Sequence, residues 1–133
     1  MDFLIDTNIC IYIMNNHPSE VIRRFKVMEL GQVGISSIAV SELQYGVSKS
    51  KRKNENQQRL DEFLLPFEIV PYDEKASRQY GDIRADLEKR GVVIGPLDLL
   101  IAAQAVSRDL VLVTNNEKEF ERIKSLEVEN WVS

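Results

Sequence analysis

The sequence predicts an α/β domain: a central, mostly parallel sheet flanked by helices. Three observations carry that prediction. Short apolar runs alternate along the chain with longer segments whose apolar residues recur at helical spacing. Strands that alternate with helices build parallel rather than antiparallel sheets. Polar or acidic residues follow directly on two of the apolar runs, at Asp6 and at Thr114-Asn115-Asn116. That is the edge at which open parallel sheets form their sites.

The elements follow in order. Residues 2–6 read as a buried strand, and Thr7-Asn8 offers an N-cap for a helix to about residue 15. Pro18 suits the first turn of a second helix with Val21, Ile22, Phe25 and Met28 on one face. Residues 33–36 form a short strand. Ser36 or Ser37 then caps a helix carrying Ile38, Val40, Leu43 and Val47. Residues 54–65 are amphipathic and end at Pro66, and residues 67–70 are a strand. Residues 73–90 form a long helix stopped by Arg90-Gly91. Pro96 opens a very apolar helix to about Ser107, and residues 110–113 are a buried strand. A short helix follows Asn116, and Val128 belongs to a last edge strand. With no repeat, linker or low-complexity tract, residues 1–133 read as a single domain.

Composition narrows the function. The hydrophobic content of 44% is enough for a real core. One cysteine, Cys10, makes no internal disulfide framework and reads as a small buried hydrophobe in a reducing compartment. The N-terminus lacks a basic region and meets Asp6 too early for a signal peptide. No run reaches the roughly 18 apolar residues of a membrane span. The expected location is the cytoplasm. The lone histidine, His17, sits in the turn-like Asn15-Asn16-His17-Pro18, so a two-histidine ribonuclease is excluded and histidine-centred hydrolases are disfavoured.

Asp6, Glu42 and Asp98 stand among Ile, Leu and Val, where a carboxylate is expensive to bury unpaired. One shared partner for all three is a divalent cation, and hard oxygen ligands favour Mg²⁺ or Mn²⁺. Thr7 and Asn8 already offer the helix cap, so Asp6 reads as a metal ligand rather than a cap. Glu42 has Ile38, Tyr45 and Gly46 one turn away, a face that is not plainly polar. Asp98 has Ile101 and Ala102 as helical neighbours and lies in a first turn, which favours a negative charge. Asn116 is placed like a fourth site member; with Glu119 it also matches a capping box, and Glu119 or Glu117 could stand in as the acid. Thr114 and Asn8 are candidates for orienting a ligand carboxylate. The net charge of −4 looks poor for a nucleic-acid binder, but two divalent cations would offset it. Lys49, Lys51, Arg52 and Lys53 form the densest basic run, a candidate phosphate contact or a solvated surface.

These segments together resemble the PIN-domain family, and most closely its VapC branch, the toxins of VapBC toxin–antitoxin pairs. The resemblance rests on residues 4–8, Ser36-Ser37, Ser41-Glu42-Leu43 with Gly46, and residues 83–87. It continues through residues 94–98 with Ile101-Ala102-Ala103, Val113-Thr114-Asn115-Asn116 with Glu119-Phe120, and Asn130-Trp131. It implies a PIN fold, with Asp6, Glu42 and Asp98 as the acidic triad of a Mg²⁺- or Mn²⁺-dependent endoribonuclease that inhibits translation. The family commonly has a fourth acid, usually Asp, where this chain has Asn116. The implied substrate is structured RNA, including initiator transfer RNA cut in its anticodon region. An antitoxin whose C-terminal tail covers the pocket and a groove between helices is implied too, as is a homodimer.

Metal-assisted hydrolysis needs no attack by a 2′-hydroxyl, so products should carry 5′-phosphate and 3′-hydroxyl ends. One competing reading is a non-catalytic RNA- or protein-binding module, favoured by Asn116. Another is a phosphotransfer domain. A haloacid-type phosphatase expects a second Asp where Asn8 stands; a receiver expects paired N-terminal acids and a lysine after a late strand, and this chain has neither.

Overall fold

The computed structural model describes residues 1–132. Five strands form one sheet: β1 (Phe3–Ile5), β2 (Val33–Ser36), β3 (Glu68–Val70), β4 (Val111–Val113) and β5 (Val128–Glu129). Every pairing is parallel, and the order across the sheet is β3-β2-β1-β4-β5. The helices between them are α1 (Thr7–Met14), α2 (Ser19–Lys26), α3 (Ser37–Ser48), α4 (Lys53–Leu64), α5 (Glu74–Lys89), α6 (Pro96–Ser107) and α7 (Glu117–Phe120), with a 3₁₀ turn at Leu30–Gln32. The expected elements are all present, with ends moved by one or two residues.

The sheet centre is dry. Leu4, Ile5, Ile35, Leu112 and Val113 are fully buried, while the edge strands β3 and β5 are short and partly exposed. Short edges limit the unpaired backbone that could recruit another chain. Helix α6 is the central helix of the layer. Ala102, Ala103 and Ala105 are fully buried, and α5 packs along it. Asp73 starts α5 by accepting a 3.0 Å bond from the Ala76 N–H. Gly91, at φ +71°, supplies the left-handed residue that ends it after Arg90.

Two local expectations need correction. Pro18 is the N-cap of α2 rather than a residue of its first turn. Asp6, not Thr7 or Asn8, caps α1: its Oδ1 accepts from the Ile9 N–H at 3.0 Å. Thr7 and Asn8 are already helical, and Asp6 is the residue with extended backbone, so its carboxylate is the one that faces the free amides.

A polar knot lies inside the apolar layer, where the sequence pattern gives no sign of one. Gln104 is buried on α6. Its Oε1 accepts from the Ser36 hydroxyl, and its Nε2 donates to the Val70 carbonyl at 3.0 Å. Ser36 Oγ in turn accepts from the Ile38 N–H at 3.0 Å and so caps α3. One side chain therefore fixes β2, β3 and the start of α3 against α6. At the other end of the sheet Trp131 is fully buried, edge-on to Phe3 at 5.8 Å, and its Nε1 donates to Glu129. Arg24 pairs with the same carboxylate and tethers α2 to β5. No helix among the described residues is long and apolar enough to cross a membrane.

Replacing Gln104 with Leu leaves the Ser36 hydroxyl and the Val70 carbonyl without their partner. At roughly 1–3 kcal/mol for each stranded group, Gln104→Leu should lower unfolding stability by about 3 kcal/mol. Urea denaturation measures this directly, and an unchanged midpoint would show that the knot contributes nothing.

Candidate active site

The strand order turns at β1, which has β2 on one side and β4 on the other. Ile5 is in register with both Ile35 and Val113, so Asp6, Ser36 and Thr114 emerge side by side at the C-terminal edge. Open parallel sheets bind ligands at that turning point.

Asp6 is only 6% exposed. Burial pushes its pKa above the ordinary carboxylate value, and the charge of Glu42 adds to the effect. The Thr114 hydroxyl and the backbone N–H groups of Ile9 and Asn8 pull the other way. Thr114 thus stands where a carboxylate-orienting residue was expected. The Asn8 side chain is exposed, and only its backbone N–H bears on Asp6.

Glu42 lies in the second turn of α3, and its Oε1 accepts from the Thr7 hydroxyl at 2.7 Å. Thr7 is a site residue that sequence reasoning misses. Its position beside Asn8 suggests a cap, and its actual partner is 35 residues away.

Asp98 lies in the first turn of α6. Its pKa is pushed up to about 7, by burial first and then by the charges of Glu119, Asp6 and Glu42. Glu119 is therefore within the electrostatic reach of the acids, and it also hydrogen-bonds with Asp98. Its Oε1 accepts from the Gly95 N–H at 2.6 Å, and its Oε2 accepts from the Asn116 side-chain amide. The capping box between Asn116 and Glu119 does not form. The Asn116 N–H goes instead to Thr114 Oγ1 at 3.0 Å, and Asn116 steadies the Glu119 carboxylate. Glu117 turns away and accepts from Asn130 at 2.9 Å.

Asp6, Glu42, Asp98 and Glu119 thus gather at one edge. Among the described residues no Lys or Arg forms an ion pair with any of them. No three Asp, Glu, His or Cys side chains there close into a ready-made metal cage in their present positions. The donor chemistry still fits a hard divalent cation: carboxylate oxygens only, repelling one another, with no positive side chain to relieve them.

A cleft of about 250 Å³ runs beside Glu42 between α1, α3 and α4, bordered by Ile11, Met14, Gly46, Asn56 and Arg59. Lys49, Lys51, Arg52 and Lys53 are exposed where α3 gives way to α4. Lys49 is seven residues beyond Glu42, about 10 Å along the helix axis. His17 is exposed in its turn. Cys10 is fully buried, and burial holds its thiol well above the ordinary range, as for a small hydrophobe.

A sheet of this order with carboxylates at its turning point defines an acid-pocket α/β domain, and comparison with known proteins says which. The PIN domain family matches residues 3–126. Ribonuclease VapC2 of Rickettsia felis is 47% identical over 132 residues, 98% of each chain. The tRNA(fMet)-specific endonuclease VapC of Shigella flexneri is 40% identical over 131 residues, again 98% of each. Among solved structures, VapBC2 from Rickettsia felis bound to a DNA fragment from their promoter superposes with a TM-score of 0.89. That match has 46% identity and covers 98% of this chain and 99% of the other. The chain belongs to the PIN-domain family, in its VapC branch.

Asp98 ties the site to stability. Its pKa is about 7 in the folded protein against an ordinary 3.8, so the folded state binds the proton more tightly. In metal-free protein this makes stability greatest below the ordinary value and lowers it as pH rises toward 7. Glu119→Gln removes the nearest like charge and should lower the Asp98 pKa and flatten that fall. Carboxyl NMR titration with melting curves across the range reads both. An unmoved Asp98 pKa would show that Glu119 does not bear on it.

Proposed function

We propose that this protein is a Mg²⁺- or Mn²⁺-dependent endoribonuclease toxin of a VapBC-type toxin–antitoxin pair. Its substrate is transfer RNA in the cytoplasm, with the anticodon region of initiator transfer RNA as the leading target, and cleavage there stops translation. The observation that carries the metal dependence is the gathering of Asp6, Glu42, Asp98 and Glu119 without a cationic side chain among them. The RNA substrate is supported by the relatives' names, ribonuclease and tRNA(fMet)-specific endonuclease, at 40–47% identity over nearly the whole chain. The partner is supported by the VapBC complex that this chain resembles.

Asp6 and Asp98 would hold the cation, Glu42 would share in holding it, and Glu119 would complete the set. A bound divalent cation supplies positive charge that acidifies a water and offsets charge growing on the phosphate. Thr7 keeps Glu42 turned inward, and Thr114 and the α1 amides orient Asp6. Asn116 and the Gly95 N–H hold Glu119 beside Asp98. No residue of the chain is placed to activate a 2′-hydroxyl through a histidine pair, so the products carry 5′-phosphate and 3′-hydroxyl ends. The cleft beside Glu42 is the groove in which the antitoxin tail lies, close enough for a basic tail residue to neutralise the acids. Two copies form a homodimer.

Asp98→Asn keeps the shape and removes the charge. Asp6→Asn does the same and preserves the helix cap, since Asn caps as well as Asp. Each should reduce cleavage of transfer RNA by about a hundredfold or more with folding intact. EDTA should abolish wild-type cleavage, and Mg²⁺ or Mn²⁺ should restore it. End-mapping of the product checks the 5′-phosphate. Wild-type rates in either variant, or cleavage in EDTA, would overturn the assignment; a folded protein that binds RNA in both and never cuts would instead be a binding module.

Lys49, Lys51, Arg52 and Lys53 contact the RNA backbone. Replacing all four with Ala should flatten the salt dependence of binding, by about 0.7 in log–log slope for each phosphate that is no longer neutralised. An unchanged slope would assign these residues to solvent.

A further inference from the structure

On helix α3 an exposed aromatic ring lies between the acids and the basic run. Tyr45 is 66% exposed. Its neighbours one turn away are Ser41, Glu42, Ser48 and Lys49, so no apolar side chain of its own helix covers the ring. Lys49 lies over it, with Nζ 4.9 Å from the ring centroid. Glu42, Tyr45 and Lys49 are spaced at i, i+3 and i+7, which keeps them on one stripe of the helix. The stripe begins at an acid of the proposed reaction centre, passes an aromatic ring, and ends where Lys51, Arg52 and Lys53 follow. Among the described residues, Arg52 is the one cation of that run with an acidic partner, Glu55 at 3.5 Å.

We propose that this stripe is a nucleotide track, with Tyr45 as the platform on which a base next to the cleaved phosphodiester stacks. Lys49 and the cations after it hold the phosphates that lead away. The proposal rests on the nuclease reading above and adds to it a subsite with a defined ligand, one unpaired nucleobase. Proteins that grip single-stranded nucleic acid combine a positive groove with aromatic faces for the bases. Loop nucleotides of RNA are recognised by such stacking because their bases can be splayed out. Tyrosine suits a protein interface as well, but the cations that cover and follow the ring point to a ligand bearing phosphates, since the cores of protein interfaces are depleted in lysine. The ring also explains how an acidic protein grips RNA beside its own carboxylates: stacking is uncharged, so the repulsion between those carboxylates and phosphate does not weaken it.

The experiment is cleavage of the anticodon stem–loop of initiator transfer RNA by wild type, Tyr45→Phe and Tyr45→Ala with Mg²⁺ present. Each protein is also given stem–loops that are abasic at one nucleotide beside the cut. Tyr45→Ala should lose roughly ten- to a hundredfold in kcat/KM on intact RNA, the size of a lost base–aromatic stack, with most of the change in KM. Tyr45→Phe should retain near wild-type activity, because the base stacks on the ring and not on the hydroxyl. On the stem–loop lacking the stacked base, wild type and Tyr45→Ala should be equal. The exposed position makes misfolding an unneeded explanation, and matched melting curves check it.

Several outcomes would overturn the proposal. Tyr45→Ala could cut intact RNA as wild type does, Tyr45→Phe could fall as far as Tyr45→Ala, or Tyr45→Ala could slow every abasic substrate equally. Tyr45→Ala that cuts normally but no longer binds the antitoxin would assign the ring to a protein partner. Wild-type protein that cuts neither this stem–loop nor bulk RNA would bring down the nuclease reading itself, and this inference with it. Wild-type cutting with indifference at Tyr45 removes this inference alone.

Discussion

Carboxylates packed at one edge of a sheet repel one another, and something has to hold them there. In this protein no lysine or arginine among the described residues does so. The task falls to neutral donors: the α1 amides and Thr114 at Asp6, Thr7 at Glu42, and the Gly95 N–H with the Asn116 amide at Glu119. Dipoles of this kind fix a carboxylate's position without cancelling its charge. The site therefore keeps a strong demand for a positive ion, and Asp98, raised first by burial and then by the charges of the acids around it, holds a proton near neutrality.

The packing of the rest of the chain follows from that requirement. Asp6 sits at the end of the central strand, so β1 must be flanked on both sides, and it is. Glu42 and Asp98 ride on helices α3 and α6, whose separation is fixed by Gln104 through Ser36 and Val70. Alanines on α6 let that helix sit deep in the layer. Glu119 hangs from a four-residue helix that would be weak in isolation, and Gly95 and Asn116 anchor it. A buried polar knot and a tethered short helix make sense together as parts that set where charges lie.

Most of the fold was legible in the sequence, because period and capping are local. Alternating apolar runs marked the strands, Arg90-Gly91 ended α5, and Pro96 opened α6. That Asp6, Glu42 and Asp98 come near one another was legible from carboxylates stranded among aliphatic residues. What stayed hidden was non-local. Thr7 finds Glu42 across 35 residues, Ser36 finds Gln104 across 68, and Gly95 finds Glu119 across 24. Nothing in the spacing of Thr7 or Gln104 marks those partners. The cap of α1 is misread for a related reason. Three successive residues could each cap, and only the backbone angle at Asp6 decides among them. Asn116 draws attention as the fourth member because it stands where a strand ends, whereas the carboxylate that reaches Asp98 comes one helical turn later.

That last displacement has a consequence for how such chains diverge. Asn116 and Glu119 are in direct contact, their side chains meeting at one place from two addresses in the sequence. An acid at the first address would set its charge next to the carboxylate that the second already supplies, because the two side chains are in contact. The two addresses are one place in space, yet in the sequence they are separate positions three residues apart. A column-by-column comparison would therefore record a lost acid at Asn116 and overlook the carboxylate of Glu119 that Asn116 holds.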